Sequence, residues 1–111
     1  MPQFNPVLSV GAPGSSPWTL DFYGGTSFVA PQLNGIAALV QQKAGGRVGL
    51  LDFPLYLLAR QSSSYTSAKA PLGDIEAGDN WFYQGAPGYD QGSGVGVLNV
   101  ANFAAAVAAM K

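Results

Sequence analysis

Ser27 follows Gly24-Gly25-Thr26 and leads into Phe28-Val29-Ala30-Pro31, where apolar residues begin to recur at helical spacing. A hydroxyl at the mouth of a helix can do two kinds of work. As a nucleophile it would attack a carbonyl, with the first-turn N–H groups and the positive end of the helix dipole facing the oxyanion that forms. As an ordinary N-cap it would only satisfy first-turn amides after a flexible turn. Both readings stand on these residues. A nucleophilic serine also needs a neighbouring base, and the chain contains no histidine. Its acidic residues are Asp21, Asp52, Asp74, Glu76, Asp79 and Asp90. Nothing in the sequence points Asp21, the one nearest in the chain, toward the Ser27 hydroxyl. Without cysteine or histidine, disulfides are excluded and zinc has no fitting ligands.

Four of the six acids fall in a second unusual stretch, residues 73 to 99: Gly-Asp-Ile-Glu-Ala-Gly-Asp-Asn-Trp-Phe-Tyr-Gln-Gly-Ala-Pro-Gly-Tyr-Asp-Gln-Gly-Ser-Gly-Val-Gly-Val-Leu-Asn. One reading is a solvated Gly/Pro loop whose aspartates favour turns. Asp74, Glu76 and Gly78 lack the ligand spacing and the twelfth-position glutamate of an EF-hand. Gly92, Gly94 and Gly96 lack the third-glycine spacing of a dinucleotide site, and no lysine follows a glycine run as in a Walker loop.

The segment from Gly24 to Pro31 resembles the nucleophile segment of the subtilisin clan of serine peptidases. Within that clan the chain is most similar to the sedolisins, acid-acting serine-carboxyl peptidases. Gln32 stands where subtilisins usually carry histidine. Residues 73 to 99 resemble the sedolisin calcium loop: an Asp-Ile pair, an aromatic, then Gly-Pro-Gly-Trp-Asp and a Thr-Gly-x-Gly turn. The resemblance implies a Ca2+ site in which Asp74 and Asp90 give side-chain oxygens while Ile75, Ala86 and Gly88 give carbonyls. Calcium suits such a set, being a hard cation that takes six or more oxygens. Ala86 replaces a usual glycine, which matters only if the backbone there needs positive φ. Tyr89 replaces tryptophan, and Ser93-Gly94 replaces Thr-Gly.

The resemblance covers roughly residues 18 to 104 and implies acyl transfer by Ser27 on a polypeptide substrate, its backbone N–H contributing to the oxyanion hole. Sedolisins place a glutamate base and an aspartate four residues apart on an upstream helix, with a further upstream aspartate at the oxyanion hole. None of those segments is present. The fold implied is α/β: the C-terminal part of a subtilisin-like three-layer domain, helix-rich with few short strands and a calcium loop. Residues 1-111 are thus expected to form a single partial domain, inactive alone. Its partners would be a complementary N-terminal portion of the catalytic domain, or further copies of itself. A non-catalytic, calcium-stabilised remnant or binding module is the alternative, and another subtilisin-clan hydrolase with upstream His and Asp a third.

Composition agrees with this frame. Hydrophobic residues at 48% argue against disorder, and charge at 10% is low beside the usual quarter, as befits an acid-acting enzyme or part of a larger core. A net charge of −1 offers no footprint for nucleic acid or an anionic membrane. No apolar run approaches a membrane span. Met-Pro-Gln-Phe-Asn-Pro lacks the basic start and apolar stretch of a signal peptide, so an extracellular, secreted parent is expected by resemblance only.

The elements that must position these groups read as follows. Residues 1 to 17, rich in Pro, Gly and Ser, are expected to be irregular, and Trp18 to Tyr23 a short strand. The nucleophile segment spans 18-44, with a helix from Ser27 to Lys43 that buries Val29, Leu33, Ile36, Ala37 and Val40 and stops at Gly45-Gly46. Pro31 falls near its first turn, where a missing N–H matters least. Gly35, unfavourable inside a helix by about 1 kcal/mol, suggests close approach of another element. A second helix, 52-60, is predicted with Asp52 as N-cap and Leu55, Leu58 and Ala59 inward. Residues 61 to 71 read as an exposed loop, followed by the calcium loop, 73-99. Asn99 is expected to cap a C-terminal helix, 100-110, burying Val100, Phe103, Ala104 and Val107. Trp81, Phe82 and Tyr83 are expected to pack against the calcium loop. Trp18 is expected in the core.

Overall fold

The computed structural model describes the backbone of residues 5–10 and 18–111, and side chains from residue 24 onward. The chain is mixed α/β and helix-rich, and it divides into two units, residues 1–35 and 36–111. In the first unit, β1 (Asn5–Val10) pairs antiparallel with β2 (Trp18–Tyr23), running from Asn5 opposite Tyr23 to Val10 opposite Trp18. The strand expected at 18–23 is present. Residues 5–10, expected to be irregular, are instead its partner, and Val7 and Val10 are residue types with a preference for extended backbone. The Trp18 side chain lies outside the described residues.

Helix α1 (Thr26–Ala44) begins in the first unit and runs into the second. Pro31 lies inside it, past the first turn. With no N–H, Pro31 cannot donate to the Ser27 carbonyl four residues back. The helix stops where expected. Gly45 takes φ +71°, its N–H donates to the Gln42 carbonyl (3.2 Å), and the Gly46 N–H reaches the Gln41 carbonyl (3.1 Å). This is the paired closure of a Schellman end.

In the second unit the C-terminal half of α1 packs with α2 (Asp52–Ala59) and α4 (Val100–Ala109). Val40, Leu58, Phe103, Ala104 and Val107 are buried together, flanked by Ile36, Val48, Leu51, Leu55 and Leu98. The inward residues predicted for α4 hold, Val100 being only half-buried. Of the predicted inward face of α1, Val40 is buried and Ile36 and Ala37 are partly covered, while Val29 and Leu33 are about half exposed. Among the described residues, no atom of another element approaches the Cβ position of Gly35 within 4 Å.

Of the two predicted side-chain caps of α2 and α4, one is present. Asn99 Oδ1 accepts from the Asn102 N–H (3.2 Å), as predicted. Asp52 is the first residue of α2 rather than its cap; Leu51 holds that position without a side-chain hydrogen bond. The expected exposed loop 61 to 71 contains a short helix, α3 (Ser63–Thr66), with Ser64 and Pro71 buried. Beyond it, β3 (Leu72–Gly73) pairs antiparallel with β4 (Val97–Leu98). Those two residue pairs close the base of the loop between them. Gly96, at φ +84°, makes this closure possible, since a Cβ there would overlap the Gly73 carbonyl oxygen. The Asn99 N–H donates to the Pro71 carbonyl (2.9 Å) and Asn102 Nδ2 to that of Ala70 (3.0 Å), anchoring the base to α4.

Candidate nucleophile and calcium loop

In the first unit, Gly25 takes φ +125°, a conformation that favours glycine, and turns the backbone from β2 into α1. Ser27 is the second residue of the helix and is exposed. The Phe28 N–H donates to the Gly25 carbonyl (3.1 Å), tightening the first turn. Ser27 is therefore inside the helix and not its N-cap, which removes the capping role as the reason for a hydroxyl there.

In the second unit, Asp74 and Asp90 both grip the segment 86–88. Asp74 Oδ2 accepts from the Gly88 N–H (2.5 Å), and its Oδ1 from the Ile75 N–H (3.0 Å). Asp90 is buried, and its carboxylate accepts four hydrogen bonds. Oδ1 takes those of the Ser93 (2.6 Å) and Gly92 (2.7 Å) amides; Oδ2 takes the Ser93 hydroxyl (2.8 Å) and the Ala86 amide (3.2 Å). A Cβ on Gly85 would lie 2.9 Å from the Ile75 carbonyl oxygen, so that carbonyl lies against Gly85. The loop thus brings together Asp74, Ile75, Ala86, Gly88 and Asp90, which lie up to 16 residues apart in sequence. Ala86 has no positive φ, so alanine in place of glycine carries no backbone penalty.

The hydrogen bonds set the electrostatics. The Ser93 amide, then its hydroxyl, then the Ala86 and Gly92 amides hold the Asp90 carboxyl below the usual range; burial opposes them and loses. Tyr65 on α3 donates to the Val95 carbonyl (3.2 Å), tying the loop to the helices. Burial, and secondarily the Asp74 charge, raise its phenol pKa. The sequence reading missed Ser93 and Gly92 as partners of Asp90, although Asp-x-Gly-Ser is a sequence in which an aspartate commonly accepts from amides two and three residues on.

Ile75, Ala86 and Gly88 meet the two carboxylates through their amide N–H groups, so the two Asp side chains and these three residues lie close to one another. No cluster of three or more His, Cys, Asp or Glu that could hold a metal ion occurs among the described residues. Trp81 and Phe82 correct a prediction. They do not pack against the loop; they are 95% and 88% exposed. No helix among the described residues is long and apolar enough to cross a membrane.

No protein-family model matches the chain, and neither a curated protein nor a solved structure matches it.

Proposed function

We propose that this chain carries the nucleophile and the structural calcium loop of a serine-type endopeptidase of the sedolisin kind, as the C-terminal part of a subtilisin-like three-layer domain. The observation that supports it most is that Asp74 and Asp90 both accept from amides of residues 86–88, which keeps near one another four of the residues the resemblance names as calcium ligands. Bound calcium would neutralise the two carboxylates and fix the loop; it would take no part in the bond-breaking step. Asp90 already accepts four hydrogen bonds, so it would share its oxygens with the cation. Its lowered pKa keeps it ionised into acid, which suits an acid-acting enzyme.

Catalysis would proceed by attack of the Ser27 hydroxyl oxygen on the scissile carbonyl carbon. The hydroxyl proton would pass to a glutamate on the complementary N-terminal portion. A carboxylate base stays ionised at acidic pH, where histidine would be protonated. The Ser27 N–H, in the first turn of α1, would donate to the oxyanion of the tetrahedral intermediate. The amine then leaves with a proton, and water hydrolyses the acyl ester on Ser27. In subtilisin, a distant relative by this reading, removing the serine or its base lowers turnover on the order of 10⁶-fold. The chain alone is therefore expected to be inactive, and its natural context to be secreted.

The deciding experiment reads the coding DNA upstream of Met1 for a Glu-x-x-x-Asp helix and an oxyanion-hole aspartate. The reassembled protein is then treated with an acyl-type serine inhibitor at acidic pH. Labelling at Ser27 only when both parts are present, and lost with Ser27→Ala, is the expected result. An unrelated upstream sequence leaves Ser27 without a base and favours the calcium-stabilised, non-catalytic remnant.

A further inference from the structure

The tip of the calcium loop, residues 79–84, is built differently from its base. Asp79 and Gln84 face each other as an isolated antiparallel bridge, and the Asn80 N–H donates to the Tyr83 carbonyl (3.1 Å). Asp79 Oδ1 accepts from the Trp81 N–H (3.0 Å), and Asn80 Oδ1 from the Tyr83 (2.9 Å) and Phe82 (3.3 Å) amides. Three successive amides are thereby pinned by two side chains. The result is a tryptophan at φ +80°, the one non-glycine residue with positive φ among those described. A bulky residue in that region is strained and persists only because the surrounding bonds over-determine it. Its indole is 95% exposed, and Phe82 beside it 88%. The tip therefore holds a strained backbone while presenting its largest apolar side chains to water.

Those rings border an open cleft of about 590 Å³ whose other walls are Asp79, Tyr83, Gln84 and Gln91. Its lining has a clear chemical bias. It offers one carboxylate, two amide carbonyls and three aromatic rings, and no lysine or arginine. Ring faces carry negative potential, so the three rings and the Asp79 carboxylate favour a cation, and the two glutamine carbonyls can accept from it. Among side-chain cations, guanidinium fits best. It is planar and weakly hydrated, stacks on aromatic faces, and has five donors for carboxylate and amide oxygens. An ammonium is a strongly hydrated point charge that would keep its water in so open a cleft. Asp79 Oδ2 accepts no hydrogen bond among the described residues, which leaves it open to a donor.

We propose that this cleft binds an arginine side chain of a polypeptide, stacked on Trp81 and paired with Asp79. The site does not depend on Ser27 or on the peptidase reading.

The test uses the whole chain at fixed calcium and an N-acetylated, C-amidated peptide of glycine and serine around one arginine. Binding is followed by titration calorimetry, with the Trp81 indole N–H resonance as a second readout in chains that keep Trp81. Replacing arginine by neutral citrulline should weaken binding about tenfold, and Asp79→Asn about fivefold. Trp81→Gly is the decisive variant. Glycine accepts positive φ, so its Tm should hold or rise while binding falls at least about tenfold. Rising salt should weaken the complex. Equal binding of the citrulline peptide, unchanged binding by Trp81→Gly, or tighter Trp81-dependent binding of a neutral oligosaccharide would each overturn the proposal. Concentration-dependent shifts without peptide, marking a second copy in the cleft, would overturn it too.

Discussion

The two segments that could carry chemistry are made in opposite ways. Residues 73–97 determine their own shape: two carboxylates satisfy six donors, a two-pair ladder closes the base, and a tyrosine ties the loop to α3. The Ser27 turn contributes a position and little else. It has a glycine bend, a helix start and an exposed hydroxyl. A binding loop can be completed within one stretch of chain, because its ligands are mostly its own backbone. A serine nucleophile cannot, because its reactivity belongs to a base on another element. Substitutions in the two regions should therefore differ in kind.

The largest effect is expected beneath the loop. Phe103 is 2% exposed in the core that joins α1, α2 and α4. Phe103→Ala should destabilise residues 36–111 by about 3–5 kcal/mol, the range for emptying a buried phenylalanine site. Denaturant unfolding followed by circular dichroism measures it. Gly96→Ala should come next, at roughly 2–4 kcal/mol, since it combines positive φ with overlap onto the Gly73 carbonyl. The two differ in location. Hydrogen exchange should show Gly96→Ala opening the loop while the α4 amides remain protected, whereas Phe103→Ala should loosen both.

Charge in the loop gives smaller and condition-dependent effects. The folded-state pKa of Asp90 is depressed relative to the unfolded chain. Its contribution is therefore fully present above the ordinary aspartate range, near about 4. It is lost as pH falls through that range toward the lowered folded value. Stability of the wild-type chain should decline over that acid window, and Asp90→Asn should flatten the decline; Tm against pH checks it. Calcium at a hundred times its Kd should add about 2.7 kcal/mol. Asp74→Asn should shrink the calcium-dependent rise in Tm. Asparagine offers one acceptor oxygen where Asp74 uses two, so either the Ile75 or the Gly88 amide loses its partner and the calcium-free Tm should fall as well.

What the sequence revealed and what it hid follow the same division. Helix α1, the strand at 18–23 and the Asn99 cap were legible because local chemistry decides them: apolar recurrence, a Gly-Gly stop, an amide side chain at a helix mouth. The pairing of β1 with β2, the burial of Ser64 and the two-pair base at Leu72 and Leu98 were hidden, since each depends on a partner distant in sequence. The inward face predicted for α1 was right at Val40 and wrong at Val29 and Leu33, because periodicity shows that a helix has an apolar side and not how much of it is covered. Trp81 was misjudged for a related reason. Clustered aromatics normally bury area, but the Asp79 and Asn80 side chains fix the backbone so that this one points to water.

The smallest expected effect falls on Ser27 itself. Had it been an N-cap, Ser27→Ala would lower stability by about 1 kcal/mol. As the second residue of α1, with an exposed side chain, it should change stability by less than about 0.5 kcal/mol. Gly25→Ala, which forces a side chain to φ +125°, should be clearly worse although it removes no functional group. A near-silent serine beside a sensitive glycine means that the turn is built to place the hydroxyl, not to be held by it. A Ser27→Ala loss above about 1 kcal/mol would instead return that hydroxyl to a structural role and leave the nucleophile reading without its local support.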